Sequence, residues 1–252
     1  MFHTFGIQLY TVRDTMKTEE GIRESFRKLK ALGYDQAQTA GCAIPYADYG
    51  RIAKEEGIEI VGTHDNYQQM QDDPETAMAN HRLLGTTNMG VGGMPGDAFA
   101  SLENLKVHIA KMQKITEAIA PHGFKFTYHN HSFEFKKFGG KTILEILMEE
   151  LDPKHTSFVF DTYWAQHGGA DVRMWMEKLS GRIDILHLKD MAVEGNNPYI
   201  TEVGNGNLHW ESILKTAEDI GVKYCIVEQD IWPGDPFDSA AQSAAYLKKY
   251  IY

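Results

Sequence analysis

The chain alternates short apolar runs with longer segments of helical spacing, and each kind occurs eight times. The short runs predict strands at 5–12, 34–40, 58–65, 87–93, 125–131, 157–163, 184–190 and 224–230. Several of these runs are apolar throughout and end on a polar residue, which is typical of parallel strands buried on both faces. The pattern therefore favours an α/β protein in which helices join parallel strands.

The longer segments carry apolar residues three and four positions apart, as Ile22, Phe26 and Leu29 do, which predicts amphipathic helices. Predicted N-caps are Thr18, Asp171 and Asp235, and predicted closing glycines are Gly33, Gly57, Gly123 and Gly221. Eight β/α units in 252 residues match the size of a TIM barrel. A doubly wound open sheet would carry a phosphate-binding glycine fingerprint after its first strand, and that fingerprint is absent. We predict a single (β/α)8 TIM-barrel domain over residues 1–252.

Two predicted connections are longer than barrel closure requires, namely 132–141 after the fifth strand and 191–207 after the seventh. Both follow strand ends, so they lie on the face where such barrels carry out their chemistry. We expect them to form walls or lids of a pocket.

Three predicted strands end on a residue that binds divalent metals: Asp161 in FVFD, His187 in ILH and Glu228 in CIVE. Adjacent strands of a barrel bring their tips within reach of one ion. Two carboxylates and an imidazole suit one divalent ion such as Mn, Zn, Co or Mg. Each residue alone is equally well explained as a hydrogen-bonded polar group at a strand end, but its recurrence on three strands favours a metal site.

The fifth strand ends in YHNHSFEF and offers three candidates for a fourth ligand: His129, His131 and Glu134. His129 sits at the strand tip, whereas Glu134 lies a few residues into the loop and would have to fold back. We favour Glu134 as the ligand, which leaves His129 or His131 as a base beside the metal. The alternative is a pair of histidines whose hydrogen bonds are satisfied by nearby carboxylates.

The motifs YHNHxxEF, FDTYW, HLKD, EVGxG and IVEQD, in this order, resemble the sugar isomerase/epimerase superfamily with the xylose-isomerase-like TIM barrel, sometimes grouped with AP endonuclease family 2. The resemblance covers nearly the whole chain. It implies that Glu134, Asp161, His187 and Glu228 bind one divalent metal. The family's usual strand-5 glutamate position is occupied here by His129.

The resemblance implies a sugar isomerase or epimerase that removes a proton next to a metal-bound carbonyl and passes through an enediolate. The residues implied in catalysis are His129, His131, Glu228 and Lys189. Lys189 would hold a substrate oxygen or neutralise the enediolate, although a structural salt bridge explains it nearly as well. An alternative is a lyase or hydratase that acts on 3-keto sugars or 3-keto glycosides by β-elimination. A third alternative, of a different class, is a non-catalytic sugar-binding barrel.

Four further residues are predicted to bind the sugar. His64 ends the third strand in GTHDN and would bind a hydroxyl, while Tyr10, Trp164 and Trp232 would be platforms for a sugar ring. For the aromatic residues, packing under a loop is the default alternative.

Composition and motifs limit which kinds of binding partner are expected. The formal net charge of −10 and the reading DTYW, where the endonuclease branch resembles DxxH, argue against nucleic acid. The segment GNGN at 204–207 is only a weak phosphate-loop candidate, so a phosphorylated substrate is not well supported. Two distant cysteines and the lack of a long apolar segment predict a cytoplasmic protein without membrane insertion. We expect a small sugar as partner, and the sequence leaves the sugar, the native metal and a homo-oligomer open.

Overall fold

The computed structural model describes residues 2–250. Within them, all eight predicted strands occur and lie parallel in one sheet, so the predicted TIM barrel is confirmed. The strands are β1 (Gly6–Gln8), β2 (Gln36–Ala40), β3 (Glu59–His64), β4 (Asn88–Val91), β5 (Lys125–His129), β6 (Thr156–Asp161), β7 (Ile183–Leu188) and β8 (Tyr224–Val227).

Helices follow the strands and cover the outside of the barrel. They are α1 (Glu19–Leu32), α2 (Tyr46–Glu55), α3 (Tyr67–Asp72), α4 (Pro74–Leu84), α5 (Leu102–Ile119), α6 (Ile143–Glu150), α7 (Thr162–His167), α8 (Val172–Lys178), α9 (Trp210–Asp219) and α10 (Pro236–Leu247). The three predicted N-caps are confirmed, since Thr18, Asp171 and Asp235 each accept a hydrogen bond from a backbone N–H of the first turn. Among residues 2–250, no helix combines the length and the apolar character needed to cross a membrane.

The first strand is shorter than the predicted 5–12. It ends at Gln8, and a 3-10 helix (Leu9–Thr15) follows at once. The Gln8 side chain accepts a hydrogen bond from the backbone N–H of Tyr10 at 3.2 Å, which caps this helix and stops the strand. Apolar residues of this helix, such as Leu9 and Val12, are buried, and this explains why the segment reads as a longer strand.

Strands pair in the order β3-β2-β1-β8-β7-β6-β5-β4, and the seam between β3 and β4 closes the barrel differently from the other pairs. Along this seam the Asn88 amide donates to the Val61 carbonyl at 2.8 Å, and the Gly90 N–H donates to the Thr63 hydroxyl at 3.1 Å. A Cβ at position 90 would lie 2.0 Å from the Thr63 carbonyl oxygen. Glycine is therefore required for the two strands to approach.

A small apolar cluster fills the barrel interior below its C-terminal mouth. Its members are Val61, Val159, Ile185 and Ile226. Three of these residues lie two positions before Asp161, His187 and Glu228. Because residues two apart on a strand share a face, the same rows of side chains that pack the interior also deliver the polar groups to the mouth.

The two long connections each contain a hairpin. The first pairs Lys137–Phe138 with Lys141–Thr142, and the second pairs Asp190–Glu194 with Asn197–Thr201. The second hairpin lines a cavity at the mouth, as expected for a wall.

The weak phosphate-loop candidate at 204–207 serves another purpose. The buried Asp190 carboxylate accepts hydrogen bonds from the backbone N–H groups of Gly204 and Gly206, at 2.9 and 3.1 Å, and from the Trp210 indole at 2.6 Å. It also accepts from the backbone N–H groups of Met191 and Leu208. The loop thus wraps a carboxylate of its own chain.

Candidate functional site

Four buried side chains from four adjacent strands meet at the mouth of the barrel. The structure brings together the three predicted strand-tip residues, Asp161, His187 and Glu228, and adds His129. One potential ligand atom from each of the four lies within 4.8 Å of the others. This separation and this mixture of imidazole and carboxylate groups suit a single divalent cation.

His187 provides the sharpest test of whether the group fits a cation. Its Nε2 lies 2.6 Å from Gln38 Oε1, an acceptor, so Nε2 carries a proton there. Its Nδ1 faces Glu228 Oε2 at 2.9 Å and Asp161 Oδ2 at 3.7 Å, yet within the described chain this buried atom makes no well-aligned hydrogen bond. A neutral ring would then aim a lone pair at two carboxylates, an arrangement that only a cation or a second proton relieves.

The electrostatics of His187 agree with this geometry. Burial lowers the pKa of its imidazole, but the carboxylates of Glu228 and Asp161 outweigh burial and raise the pKa to about 9. Without a metal the ring therefore holds an extra proton, which occupies the position of a cation. The residues present fit a divalent ion.

His129 and Asp161 are also oriented so that each keeps one atom available to a cation. His129 Nδ1 lies 3.2 Å from the carbonyl oxygen of Gly92, and its Nε2 lies 3.3 Å from Asp161 Oδ2. Donation from Nδ1 to the carbonyl leaves Nε2 free to bind a metal. Asp161 is also the N-cap of α7, where Oδ1 accepts the N–H of Trp164 at 2.8 Å. Its second oxygen remains directed at the group.

Lys189 adds a fixed positive charge beside the group. It is 1% exposed, and its Nζ lies 3.0 Å from Glu228, 2.8 Å from Asp230 and 3.5 Å from Asp161. Burial lowers the pKa of this amine, but the three carboxylates more than compensate and hold the pKa above its ordinary value. In turn, the pKa of the Asp161 carboxyl lies below its ordinary value, because Lys189 and His129 overcome the effect of burial. Lys189 forms these salt bridges and also lines a cavity that lies over the four-residue group.

Glu134 does not join the group, which corrects the prediction that it is the strand-5 ligand. Its carboxylate is buried and accepts hydrogen bonds from the Tyr128 hydroxyl at 2.5 Å and from the backbone N–H of His131 at 2.8 Å. Burial raises the pKa of this carboxyl to about 7, against the opposing effect of these two hydrogen bonds. The strand tip itself, His129, supplies the fourth member instead.

His131 is held in one tautomer. Its side chain accepts a hydrogen bond from the backbone N–H of Glu134, within a reciprocal capping box. Burial lowers the pKa of this imidazole to about 3, so the ring is neutral. Its other nitrogen therefore carries the proton, and His131 presents a donor to the cavity.

A cavity of about 410 Å³ lies over the group. The predicted residues that line it are Tyr10, His64, His129, His131, Lys189 and Glu228. His64 accepts from the Gln8 amide at 3.3 Å, and its buried Nε2 has no hydrogen-bond partner within residues 2–250. Burial, then His129 and His187, keep the pKa of His64 well below its ordinary value, so Nε2 is an unpaired donor.

Trp164 and Trp232 line a different, neighbouring cavity of about 810 Å³. Trp232 and Tyr10 lie on either side of Arg13, whose guanidinium carbon is 4.6 and 4.1 Å from the two ring centres. The structure therefore does not bring the three predicted aromatic platforms into one pocket.

The sequence reasoning missed two residues of the site, Gln38 and Asp230. Gln38 reaches His187 across the barrel, 149 positions away in the chain. Asp230 follows Glu228 by two positions on the same face of the chain, and this spacing is the signal that points to it.

Known proteins similar to this chain include inosose dehydratases of two organisms. An inosose dehydratase of Geobacillus thermodenitrificans is 27% identical over 158 residues, which are 55% of this chain and 52% of that protein. An inosose dehydratase of Mesomycoplasma hyopneumoniae is 32% identical over 169 residues, which are 59% of this chain and 54% of that protein. The matched stretch thus spans about half the length of these relatives.

The fold has a solved counterpart in a sugar phosphate isomerase/epimerase from Parabacteroides distasonis, with a TM-score of 0.84, 24% identity and 98% of both chains covered. The family model for the xylose isomerase-like TIM barrel matches residues 26–250. With nearly the whole chain matched and the eight-stranded barrel in place, the protein belongs to the xylose isomerase-like TIM barrel family.

Proposed function

We propose that the protein is a divalent-metal-dependent sugar isomerase or epimerase. The observation that carries the proposal is the buried group of His129, Asp161, His187 and Glu228, in which His187 Nδ1 faces two carboxylates without an aligned hydrogen bond. The family of the chain and its fold relative, a sugar phosphate isomerase/epimerase, support a carbohydrate substrate.

These four residues would hold the ion. When bound, a divalent cation supplies Lewis acidity, which polarises a substrate carbonyl and acidifies the adjacent C–H. A sugar with a ketone beside a hydroxyl-bearing carbon is the substrate class that this chemistry requires.

The chain's own groups then divide the work. Glu228 is ionised, since Lys189 and His187 overcome the effect of burial and lower the pKa of its carboxyl, and it lines the cavity as the proton acceptor. The Lys189 ammonium, 3.0 Å from Glu228, stabilises negative charge that develops on a substrate oxygen. His64 and His131 donate hydrogen bonds to substrate oxygens. Return of the proton by Glu228 to a neighbouring carbon gives isomerisation, whereas delivery of a proton to the opposite face of the same carbon, by a donor other than Glu228, gives epimerisation.

A second candidate is a dehydratase or lyase that acts on 3-keto sugars or 3-keto glycosides. It shares the first proton transfer, but the carbanion then expels the group on the β-carbon. Two curated relatives are inosose dehydratases, which favours this candidate. The N–H of the neutral His131 ring can donate a hydrogen bond to a departing oxygen.

Metal analysis followed by proton exchange tests the proposal. The purified protein is expected to contain about one equivalent of a divalent metal and to exchange a substrate C–H with D₂O, read by NMR over a panel of ketoses and 3-keto glycosides. Exchange without a released group indicates an isomerase or epimerase, and release of water or an aglycone indicates elimination.

The Glu228→Gln variant provides the mechanistic control. It should lose at least about 100-fold in exchange rate, because the proton acceptor is gone. The matched variant Glu103→Gln, on the exposed side of α5, should leave the rate unchanged. Full activity of Glu228→Gln would contradict this assignment, and a metal-loaded protein inert toward every substrate would favour the sugar-binding barrel.

A further inference from the structure

We propose that the second cavity at the mouth binds an uncharged aromatic or apolar substituent carried by the sugar itself. In this arrangement the sugar ring lies over the four-residue group and its substituent extends under the hairpin that contains Asp190–Glu194 and Asn197–Thr201. This inference rests on the proposed function, since it names the substrate class of the same site.

The two cavities are continuous in their walls. Asp230 lines both of them. Trp164, which lines the second cavity, lies against residues of the first: its ring is 5.3 Å from the Lys189 ammonium and 5.3 Å from the His131 ring. A single molecule can therefore contact the polar group and the second cavity at once.

Several large apolar side chains line the second cavity and are left exposed. Ile231 is 72% exposed, Val193 51% and Tyr199 46%, and all three line it together with Trp164 and Trp232. Large apolar side chains gathered around one concave surface mark a binding site rather than a solvated face. A volume of about 810 Å³ lies within the range of small-molecule sites, about 300–1,000 Å³.

Charge determines what kind of substituent fits. Among the described residues that line the second cavity there is no lysine or arginine, whereas Glu194, Glu202 and Asp230 contribute carboxylates. Two of these are engaged within the chain: Glu202 accepts from the Ser239 hydroxyl at 2.7 Å, and Asp230 pairs with Lys189. An anionic substituent would face these carboxylates with no lysine or arginine in the lining, and two of the carboxylates are already engaged within the chain, which favours an uncharged substituent.

Binding of three glucosides to the Mn²⁺-loaded protein tests the proposal. The probes are methyl, phenyl and 4-carboxyphenyl β-D-glucopyranoside, titrated by ligand-detected NMR. We expect phenyl to bind about tenfold more tightly than methyl, since partial burial of an aromatic ring supplies about this factor. The carboxyphenyl probe should lose that gain.

Substitution of two exposed valines tests whether the higher affinity for the phenyl probe arises in the second cavity. Val193→Asp should reduce the phenyl preference to about that of the methyl probe and leave methyl binding unchanged. Val107→Asp is its matched control on α5, because Val107 is 52% exposed and lies outside the cavity. Equal affinities for phenyl and methyl, absence of phenyl binding, or a Val193→Asp variant that behaves like Val107→Asp would overturn the proposal.

The outcome separates this inference from the proposed function. A phenyl preference in a protein that exchanges no substrate proton would support the second subsite and contradict the proposed enzymatic function. Proton exchange on simple ketoses without a phenyl preference would support the proposed enzymatic function and contradict the second subsite.

Discussion

The mouth of the barrel has two sides with different chemistry. The charged side comprises His129, Asp161, His187, Lys189 and Glu228, at and just beyond the ends of β5–β8. The amide side comprises Gln8, Gln38 and His64, on β1–β3, where neutral donors and acceptors form a hydrogen-bonded row.

A hydrogen bond of 2.6 Å between His187 Nε2 and Gln38 Oε1 links the two sides. An amide there fixes the tautomer of a histidine without adding charge. Under the proposed function, this difference assigns the charged side to holding a cation and moving a proton, and the amide side to orienting side chains and recognising hydroxyl groups.

The largest expected effect comes from removal of a charge on the charged side. Asp161→Asn should lower metal content to a small fraction and activity by about 1,000-fold or more, since a neutral amide is a poor ligand for a divalent cation. Metal analysis and the proton-exchange rate measure this. Asp171→Asn is the matched control, because both aspartates cap a helix through a 2.8 Å hydrogen bond and asparagine also caps. Equal, small effects of the two variants would mean that Asp161 is only a cap.

A smaller effect should appear in the pH dependence of stability without metal. Folding raises the pKa of His187 from 6.5 to about 9, so its contribution is complete below about pH 6.5 and is lost as the pH rises through about 9. The loss is on the order of 3 kcal/mol. Unfolding of the metal-free protein at several pH values measures it.

Saturating metal should flatten this pH profile, because the ion takes the place of the proton. The His187→Gln variant should lack the decline. If that variant declined as steeply as the original protein, another group would be responsible.

The smallest effect should come from the amide side. His64→Gln should raise KM about tenfold and leave metal content unchanged, since it removes one hydrogen bond to substrate. His155→Gln, at the other end of the barrel, serves as control. A loss of metal in His64→Gln would break the distinction between the two sides.

Local patterns were sufficient for the scaffold and for three site residues. Each strand is an apolar run that can be recognised alone, and Asp161, His187 and Glu228 follow because parallel strands place their tips at one end. The first strand was predicted too long because a capping side chain, Gln8, ends it within a run that remains buried.

The rest depended on contacts between distant or folded-back segments. Glu134 looks like a ligand by residue type, but its loop turns it toward Tyr128 and the His131 backbone. Gln38 lies on another strand, and nothing near it in the chain indicates His187 as its partner. The glycine-containing segment 204–207 resembles a phosphate loop in the sequence. Its backbone N–H groups instead donate to the Asp190 carboxylate, which lies 14 and 16 residues earlier and so is not evident from the local pattern.

The carboxylate of Asp190 gathers five donors from the stretch that ends at Trp210. One side chain thus anchors the base of the hairpin that pairs Asp190–Glu194 with Asn197–Thr201, while the residues at its tip are exposed. If the second cavity binds substrate as proposed, substitutions at the tip are expected to change which molecules bind without displacing the four-residue group at the strand ends.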